Sequence, residues 1–393
     1  MTAIAATWQL LLGMGILMLG AGLQGTEISL RATLEGFPAP LTGAVMSCYY
    51  VGYLFGTALA PRLVRRVGHI RVFAAMAALA SVSILAQGLF IAALPWALLR
   101  GLSGLAFAAI YVVAESWLNE SSSRATRGSL LAVYMVVLYI GLGTSQFLLI
   151  PTDPRTAAPF MLVAILISLA IVPIVIAAQH APEIALPQKV RYRDLYRDSP
   201  LGVVAVTVAG MVTANVYSMG PVYARLSGLD TSGVATFMGV SVLSAVILQY
   251  PVGRLSDRID RRTVIAAICI LATLSAAIPT ALRALPHGVV LLVTGAFSAL
   301  AFTLYSLGVS HVNDHLEPAQ MVAASGALLR LNGIGAALSP VLVGGLMARF
   351  GPAAYFGSLA GLTGLLSIYD LWRKMRRRPP ERKQPFGQRK SMV

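Results

Sequence analysis

The sequence predicts an all-α integral membrane protein in which twelve transmembrane helices form two pseudo-symmetric six-helix bundles. Of its 393 residues, 57% are hydrophobic and 11% are charged, about half the share of charge in soluble domains. Apolar stretches long enough to cross a bilayer, roughly 20 residues each, recur along the whole chain. They cover approximately 8–26, 42–60, 72–93, 95–118, 129–150, 159–178, 201–220, 233–252, 263–284, 289–312, 322–348 and 352–371. This composition excludes a water-soluble enzyme.

Basic residues are distributed unequally between the two sets of loops. The second, fourth, sixth and eighth loops and the C-terminal tail carry 23 Lys and Arg, whereas the odd-numbered loops carry five. The positive-inside rule therefore predicts that the basic loops face the cytoplasm of a cell whose inner membrane holds the protein. Because the number of segments is even, both termini are predicted on that side. The net charge of +15 then reflects orientation in a lipid bilayer, and no nucleic-acid partner is expected.

A long polar stretch between the sixth and seventh segments divides the chain into two halves. The loops that follow segments 2 and 8 share Arg62 with Arg254 and Arg66 with Arg258 at an offset of 192 residues. An internal repeat of this kind indicates a duplicated six-helix unit. The predicted organisation is an N-terminal bundle over 1–178, a cytoplasmic central loop over 179–200, a C-terminal bundle over 201–372 and a basic cytoplasmic tail over 373–393.

The repeated loops carry a recognisable motif. The second copy has Gly253, Asp257, Arg258, Arg261 and Arg262; the first copy keeps Arg66, Gly68 and Arg71 but has Pro61 and Arg65 in place of the first Gly and the Asp. With these loops and Arg100-Gly-Leu-Ser-Gly104 in segment 4, the chain resembles the major facilitator superfamily of secondary transporters. The run 112–116 (Val-Val-Ala-Glu-Ser) and Trp117 resemble its poorly characterised YcaD-like branch.

The resemblance implies two bundles that rock about a central site lined by segments 1, 4, 7 and 10. Residues 139–146 do not match the glycine-rich motif of drug/proton antiporters, which disfavours a standard multidrug exporter. The branch implies no settled substrate.

The loop motif also has a physical interpretation. An acid at a helix end, flanked by arginines, can form charge-assisted bonds that lock two rigid bodies together. Asp257 with Arg258, Arg261 and Arg262 can do this in the second half. In the first half Arg62, Arg66, Gly68 and Arg71 remain, but Arg65 stands where the acid belongs, so that lock is expected to be missing or inverted. The alternative is simple anchoring of the basic loops.

Two arginines fall inside predicted segments. Arg100 lies near the outer end of segment 4, where it either binds an anionic substrate, modulates a nearby carboxylate or extends to the interface. Arg330, with Asn332 close by, is the deepest basic residue of the second half. We expect it to be buried and to bind an anionic group, and a structural ion pair is the alternative.

Two acids are candidates for proton coupling. Glu27 and Arg31 share a helical face, and Glu27 has no acidic counterpart in the second half. Glu27 is the first candidate, with a surface ion pair to Arg31 as the alternative. Glu115 lies fifteen residues beyond Arg100, about 22 Å along a helix, so the two cannot pair. A structural salt bridge from Glu115 to Arg124 or Arg127 is slightly favoured over a proton site.

Further polar residues inside segments are candidates for lining a substrate path or for bonds between helices. They include Tyr134, Gln146 and Asn215. No nucleophile-base-acid set, phosphate-binding loop or thiolate cluster is present in the sequence, so no enzyme, cofactor or metal site is predicted.

The leading hypothesis is a monomeric secondary transporter that moves a small solute, with an anion favoured by the buried arginines, by alternating access with or without a proton. The alternatives are a lipid or lysolipid flippase and a non-transporting receptor or docking protein that uses the basic tail.

Overall fold

The computed structural model describes residues 2–122, 127–176, 192–282, 285–316 and 318–376. Every regular element in these ranges is a helix. The first half contains α1 (Thr2–Leu34), α2 (Ala39–Val67), α3 (His69–Leu89), α4 (Ala93–Glu120), α5 (Arg127–Thr144) with a following 3₁₀ helix (Ser145–Leu149), α6 (Ala158–Leu169) and α7 (Ile171–Ile176). After the short α8 (Tyr192–Asp198), the second half contains α9 (Pro200–Leu226), α10 (Thr231–Arg258), α11 (Arg261–Ala281), α12 (His287–Ala301), α13 (Leu304–Asn313), α14 (Pro318–Phe350) and α15 (Ala354–Arg376).

Helices are the structure that a chain this apolar must adopt in lipid, because a helix satisfies its own backbone hydrogen bonds. Within the described ranges the helices form the twelve predicted membrane-spanning units, six in each half. Eleven of these units are long and apolar enough to span a bilayer by length and hydropathy. The twelfth, α15, is 23 residues long and packs along α11.

Two predicted segments contain a break. In segment 6 the break separates α6 from α7 and is explained by Pro173. Pro173 has no N–H to donate to the carbonyl of Leu169, and its ring crowds that carbonyl. In segment 10 the break separates α12 from α13 at Phe302 and Thr303. The hydroxyl of Thr303 donates to the carbonyl oxygen of Leu300 at 2.6 Å, a local bond that competes with the helical ladder.

The halves meet through equivalent helices. α2 of the first half packs along α14, and α5 packs against α10, so the second span of each half contacts the fifth span of the other. We call the end of the molecule with the α2–α3 and α10–α11 loops the basic end, and the opposite end, with the α1–α2 and α14–α15 loops, the far end.

Close packing between the halves is concentrated toward the far end. A Cβ atom at Gly43 would overlap the carbonyl of Pro340, and one at Gly344 would overlap the carbonyl of Ala39. Glycine therefore permits α2 and α14 to touch there. At the basic end α4 and α13 make no extensive contact in the described part of the chain. Among the described residues, the halves therefore pack together at the far end, while α4 and α13 stay apart at the basic end.

The predicted linker and tail are only partly described. α8 lies in the predicted central loop, with Leu195 buried against the second half, whereas 177–191 lie outside the described residues. The same holds for 377–393, which include most of the predicted basic tail.

Candidate functional site

A central cavity of about 220 Å³ lies between the two halves. α1, α2, α4 and α5 line it from the first half, and α9 and α14 line it from the second. Segments 1, 4 and 7 therefore contribute as expected. Segment 10 adds no described lining residue, whereas segments 2, 5 and 11 do. Among the described residues that line the cavity, Arg100 is the only charged one.

Arg100 reaches the cavity from α4 and is only 4% exposed. Its guanidinium carbon lies 4.5 Å from the centroid of the Tyr49 ring on α2, a cation–π contact. The contact requires α2 and α4 to cross closely, and a Cβ at Gly104 would overlap the carbonyl of Tyr49. The Arg-x-x-x-Gly spacing thus has a packing cause. The Nε atom of Arg100 has no hydrogen-bond partner among the described residues.

Four tyrosines line the cavity from the first half, and the sequence interpretation did not name them: Tyr49, Tyr50, Tyr53 and Tyr111. The Tyr53 ring centroid lies 6.4 Å from that of Tyr49 and 6.2 Å from that of Tyr111. Tyr217 also lines the cavity. The available signal was the spacing: Tyr53 follows Tyr49 by four residues and Tyr50 by three, so it neighbours both on the helix surface.

Asn332 lines the cavity from the second half. Its Nδ2 atom donates to the backbone carbonyl of Val206 on α9 at 3.0 Å. The bond is possible because α9 and α14 cross at Gly210, where a Cβ would overlap the backbone of Asn332. The structure therefore places Asn332, a predicted site residue, in the cavity wall opposite Arg100.

Gln146 lies behind the wall instead of in it. It is fully buried, and its Nε2 atom donates to the carbonyl of Leu142 at 2.9 Å. Its Oε1 atom accepts a 2.5 Å hydrogen bond from the hydroxyl of Thr26, and Thr26 does line the cavity. Gln146 therefore orients a lining residue, a role that its sequence position alone did not indicate.

Glu27 is buried on α1 beside the lining residue Thr26. Its side chain is 0% exposed, and neither carboxyl oxygen has a hydrogen-bond partner in the described ranges. Arg31 does share its helical face, as expected, but pairs elsewhere: Nη2 lies 2.7 Å from Oε1 of Glu35, and Nη1 donates to the carbonyl of Pro154 at 2.8 Å. A surface ion pair between Glu27 and Arg31 is therefore not formed.

Glu115 lies near the basic end of α4 with an exposed side chain. Within the described part of the chain it makes no ion pair, while Arg124 and the side chain of Arg127, its expected partners, lie outside the described residues. Tyr53 and Tyr134 are within electrostatic range of its carboxylate. Tyr134 is buried and does not line the central cavity; its hydroxyl has no partner among described residues.

Two candidate residues lie away from the cavity. Asn215 is buried, and its Nδ2 atom donates to Ser358 on α15 at 2.9 Å, so it connects two helices instead of lining the path. Arg330 was expected to be buried, and this expectation is wrong: its side chain is exposed and approaches the Tyr192 hydroxyl of α8 at 3.5 Å. The cause is its helix face, which it shares with the exposed Ile334.

The basic loop of the first half shows no ion pair among its described residues. Arg62, Arg66 and Arg71 are exposed, and Gly68 adopts φ +86° between α2 and α3, a conformation that favours glycine. The loop is attached to α4 through its neighbour His69, whose Nε2 lies 3.0 Å from Oγ of Ser116.

The second-half loop, by contrast, forms ion pairs. Arg261 lies 2.9 Å from Asp257 at the end of α10 and 3.0 Å from Asp314 after α13, and Arg262 pairs with Asp260. Gly253 and Arg258 belong to the last turns of α10. Burial raises the pKa of Asp314, and the Arg261 guanidinium opposes the shift. In this conformation the pairs join helices of one half; the described residues form no ion pair between halves.

Comparisons with known proteins agree with this architecture. A family model described as Major Facilitator Superfamily matches residues 10–312 and 234–392. Among curated relatives, the uncharacterized MFS-type transporter YcaD of Escherichia fergusonii is 28% identical over 90% of this chain and 92% of its own length. The uncharacterized MFS-type transporter YE1530 of Yersinia enterocolitica is 28% identical over 96% of this chain and 97% of its own length.

Solved structures share the fold at low sequence identity. The nucleoside transporter NupG, as its D323A mutant, has a TM-score of 0.80 at 14% identity and covers 93% of this chain and 99% of its own. An inward-facing bacterial homologue of the human lysosomal transporter Spinster has a TM-score of 0.72 at 13% identity, covering 93% of this chain and 95% of its own. With its duplicated bundles, this chain belongs to the Major Facilitator Superfamily and is a membrane transporter, not an enzyme.

Proposed function

We propose that the chain transports a small organic anion through the central cavity by alternating access. The observation that carries the proposal is the charge of the lining: Arg100 is buried there, and no acidic side chain stands among the described lining residues. An unpaired arginine inside a membrane costs at least about 2.5 kcal/mol on insertion scales. A bound anion offsets this cost, because guanidinium forms strong charge-assisted hydrogen bonds to carboxylate and phosphate groups.

The size of the cavity limits the solute. At about 220 Å³ it is smaller than the roughly 300–1,000 Å³ of pockets that hold drug-sized ligands. Lining from both halves means that one small molecule contacts both, which is the condition for its binding to influence their relative orientation. These features support a metabolite-sized substrate.

The distribution of basic residues indicates that the cavity opens toward the cytoplasm in this conformation. The positive-inside rule assigns the basic end to the cytoplasm and both termini with it. Because the halves are separated at that end, this conformation corresponds to the inward-facing state of a protein in the inner membrane. The opposite state requires the α2–α14 and α5–α10 contacts at the far end to open.

Proton coupling is the second part of the proposal, with Glu27 as the proton carrier. A carboxyl group that is fully buried and without a partner in the described ranges is most stable when it holds a proton. Glu27 directly follows Thr26, which lines the cavity. Loss of the proton leaves a charge that must find a partner, and this couples protonation to helix movement.

The anion proposal is tested by ligand-dependent thermal stability of the purified full chain in detergent. A panel of small carboxylates, sulfonates and phosphates is compared with isosteric amides and with benzylammonium. We expect some anions to raise Tm and their neutral isosteres not to. Arg100→Gln should weaken their binding by about 10- to 100-fold, since hydrogen bonds to charged groups contribute ~1.5–3 kcal/mol.

Arg349→Gln is the matched control, because Arg349 is an exposed arginine at the far end of α14. It should leave anion binding unchanged. Binding that survives Arg100→Gln, or equal stabilisation by amides and anions, would overturn the proposal.

Proton coupling is tested in proteoliposomes that contain a pH-sensitive dye. The substrate is an anion that the thermal screen has identified. Wild-type protein should acidify the lumen when the anion is added outside. Glu27→Gln should abolish acidification yet retain exchange of labelled for unlabelled anion. Asp194→Asn, at an exposed acid of α8, should behave as wild type. Acidification that persists in Glu27→Gln contradicts the assignment.

A further inference from the structure

The hydrogen-bonding direction of two cavity residues is fixed by backbone carbonyls outside the cavity. A carbonyl oxygen can only accept a hydrogen bond, so a side-chain amide beside it must present its NH₂ group. At Asn332 the carbonyl is that of Val206, 3.0 Å from Nδ2. The Oδ1 atom of Asn332 is therefore directed away from Val206 and is left as an acceptor for the cavity.

Thr26 is fixed through one intermediate residue. The carbonyl of Leu142 requires Gln146 to present Nε2 to it, at 2.9 Å. Oε1 of Gln146 then faces Thr26, and the Thr26 hydroxyl must use its only proton to bond it. Oγ1 of Thr26 then has no proton left to donate, but its two lone pairs can still accept. Thr26 therefore also offers the cavity an acceptor and no donor.

The polar lining thus contains two groups of fixed and opposite requirement, besides tyrosine hydroxyls that can either donate or accept. Arg100 offers donors and a positive charge, whereas Oδ1 of Asn332 and Oγ1 of Thr26 are acceptors. Leaving a buried acceptor unpaired costs free energy when a ligand displaces water. A ligand that carries a hydrogen-bond donor as well as a negative charge therefore satisfies both kinds of group. Its donor is neutral, because the described lining holds no carboxylate that would compensate an ammonium group near Arg100.

We infer that the transported anion is a hydroxy acid: its acidic group bonds Arg100 and its hydroxyl donates to Asn332 or Thr26. The inference rests on the proposed function and names the class of substrate. When the hydroxyl donates to Asn332, the molecule bonds to both bundles at once, since Arg100 belongs to the first half and Asn332 to the second. An anion without a hydroxyl would leave Oδ1 of Asn332 without a donor from the ligand.

The test compares hydroxy acids with their methyl ethers, which keep the charge and the oxygen but lose the proton. The pairs are lactate with 2-methoxypropionate, mandelate with O-methylmandelate, and 4-hydroxybenzoate with 4-methoxybenzoate. Dissociation constants are measured on the purified full chain by calorimetry. At least one hydroxy acid should bind about tenfold more tightly than its ether, the ratio that 1.4 kcal/mol produces.

Two variants locate the acceptor. Asn332→Leu or Thr26→Val should reduce the ratio of the two dissociation constants toward one while binding of the ether persists. The ratio is used because a purely structural effect weakens both ligands together. Thr236→Val, at a half-buried threonine of α10 outside the cavity lining, is the matched control and should keep the wild-type ratio. If Asn332→Leu does not fold, Thr26→Val still tests the inference.

The outcomes separate this inference from the proposed function. Anions that bind through Arg100 with equal affinity for hydroxy acids and ethers would overturn the hydroxy-acid inference alone. Preference for 4-(aminomethyl)benzoate over 4-hydroxybenzoate would overturn it in favour of a zwitterion. Absence of any anion binding, or binding indifferent to Arg100→Gln, would instead remove the proposed function itself.

Discussion

Arg31 is bonded to Glu35, one helical turn toward the far end, with 2.7 Å between Nη2 and Oε1. The same guanidinium donates to the carbonyl of Pro154 at 2.8 Å, so it connects α1 to the segment between α5 and α6. Glu27, one turn in the other direction, receives neither group. The single acid of α1 and its nearest arginine therefore have separate roles.

This separation predicts opposite effects of two substitutions. Arg31→Gln should lower the free energy of unfolding by about 1–3 kcal/mol, because it breaks charge-assisted bonds at a buried position. Glu27→Gln should leave it unchanged or raise it, since an amide replaces a carboxyl group that has no described partner. Unfolding in a denaturing detergent, followed by circular dichroism, measures both. A large loss in Glu27→Gln would reveal a partner for Glu27 and argue against its role as proton carrier.

The crossing of α2 and α4 predicts a second effect on stability. Gly104→Ala places a methyl group against the Tyr49 carbonyl, and such overpacking costs typically 1–3 kcal/mol. It should also weaken anion binding, because Arg100 and Tyr49 are held together by this crossing. Gly361→Ala on α15 is the control: no atom of the described residues lies within 4 Å of its added Cβ, and Ala is about 0.8–1.0 kcal/mol better than Gly in a helix. Thermal unfolding in detergent distinguishes them. Equal Tm values for the two variants would contradict the close crossing.

Hydropathy predicted the fold because the bilayer imposes one length and one type of element on every span. The helix ends were less predictable: α1 and α2 extend well beyond their predicted apolar segments, and the break at Thr303 coincides with a local side-chain bond. The site was predictable only in part. Arg100 was found because a buried charge is costly, whereas Thr26 acts through Gln146, a partner 120 positions away. The prediction that Arg330 is buried was wrong because the sequence indicates how far along the helix a residue lies but not which way its helix face points.

The asymmetry between the two loops leads to a prediction about rate. Arg261 connects the ends of α10 and α13 through Asp257 and Asp314, while Arg71 in the first half is exposed and shows no ion pair among described residues. Arg261→Gln should slow anion exchange in proteoliposomes severalfold without changing the dissociation constant, because the basic end loses rigidity far from the cavity. Arg71→Gln should leave both unchanged.

Acidification gives an independent check on this loop. Because the pKa of Asp314 is raised by burial, Asp314 takes up a proton at a higher pH than an ordinary aspartate does, and its pair with Arg261 then weakens. Asp314→Asn should therefore reproduce at neutral pH part of the slowing that wild-type protein shows on acidification. Unchanged exchange rates in both Arg261→Gln and Asp314→Asn would reduce the loop to an anchor for membrane orientation.

The two arginines that the sequence placed in the membrane should differ in their effect on binding. Arg100 is 4% exposed and lines the cavity, whereas Arg330 is exposed and, among the described residues, approaches only the Tyr192 hydroxyl, at 3.5 Å. Arg330→Gln should change the dissociation constant of a bound anion by less than about threefold, since exposed charged contacts contribute about 0–1 kcal/mol. Calorimetry on Arg100→Gln and Arg330→Gln under identical salt separates the two. A loss of affinity in Arg330→Gln comparable to that in Arg100→Gln would mean that the anion also binds near the basic end before it reaches the cavity. Arg330 on α14, instead of Arg100 on α4, would then be the charge that selects anions.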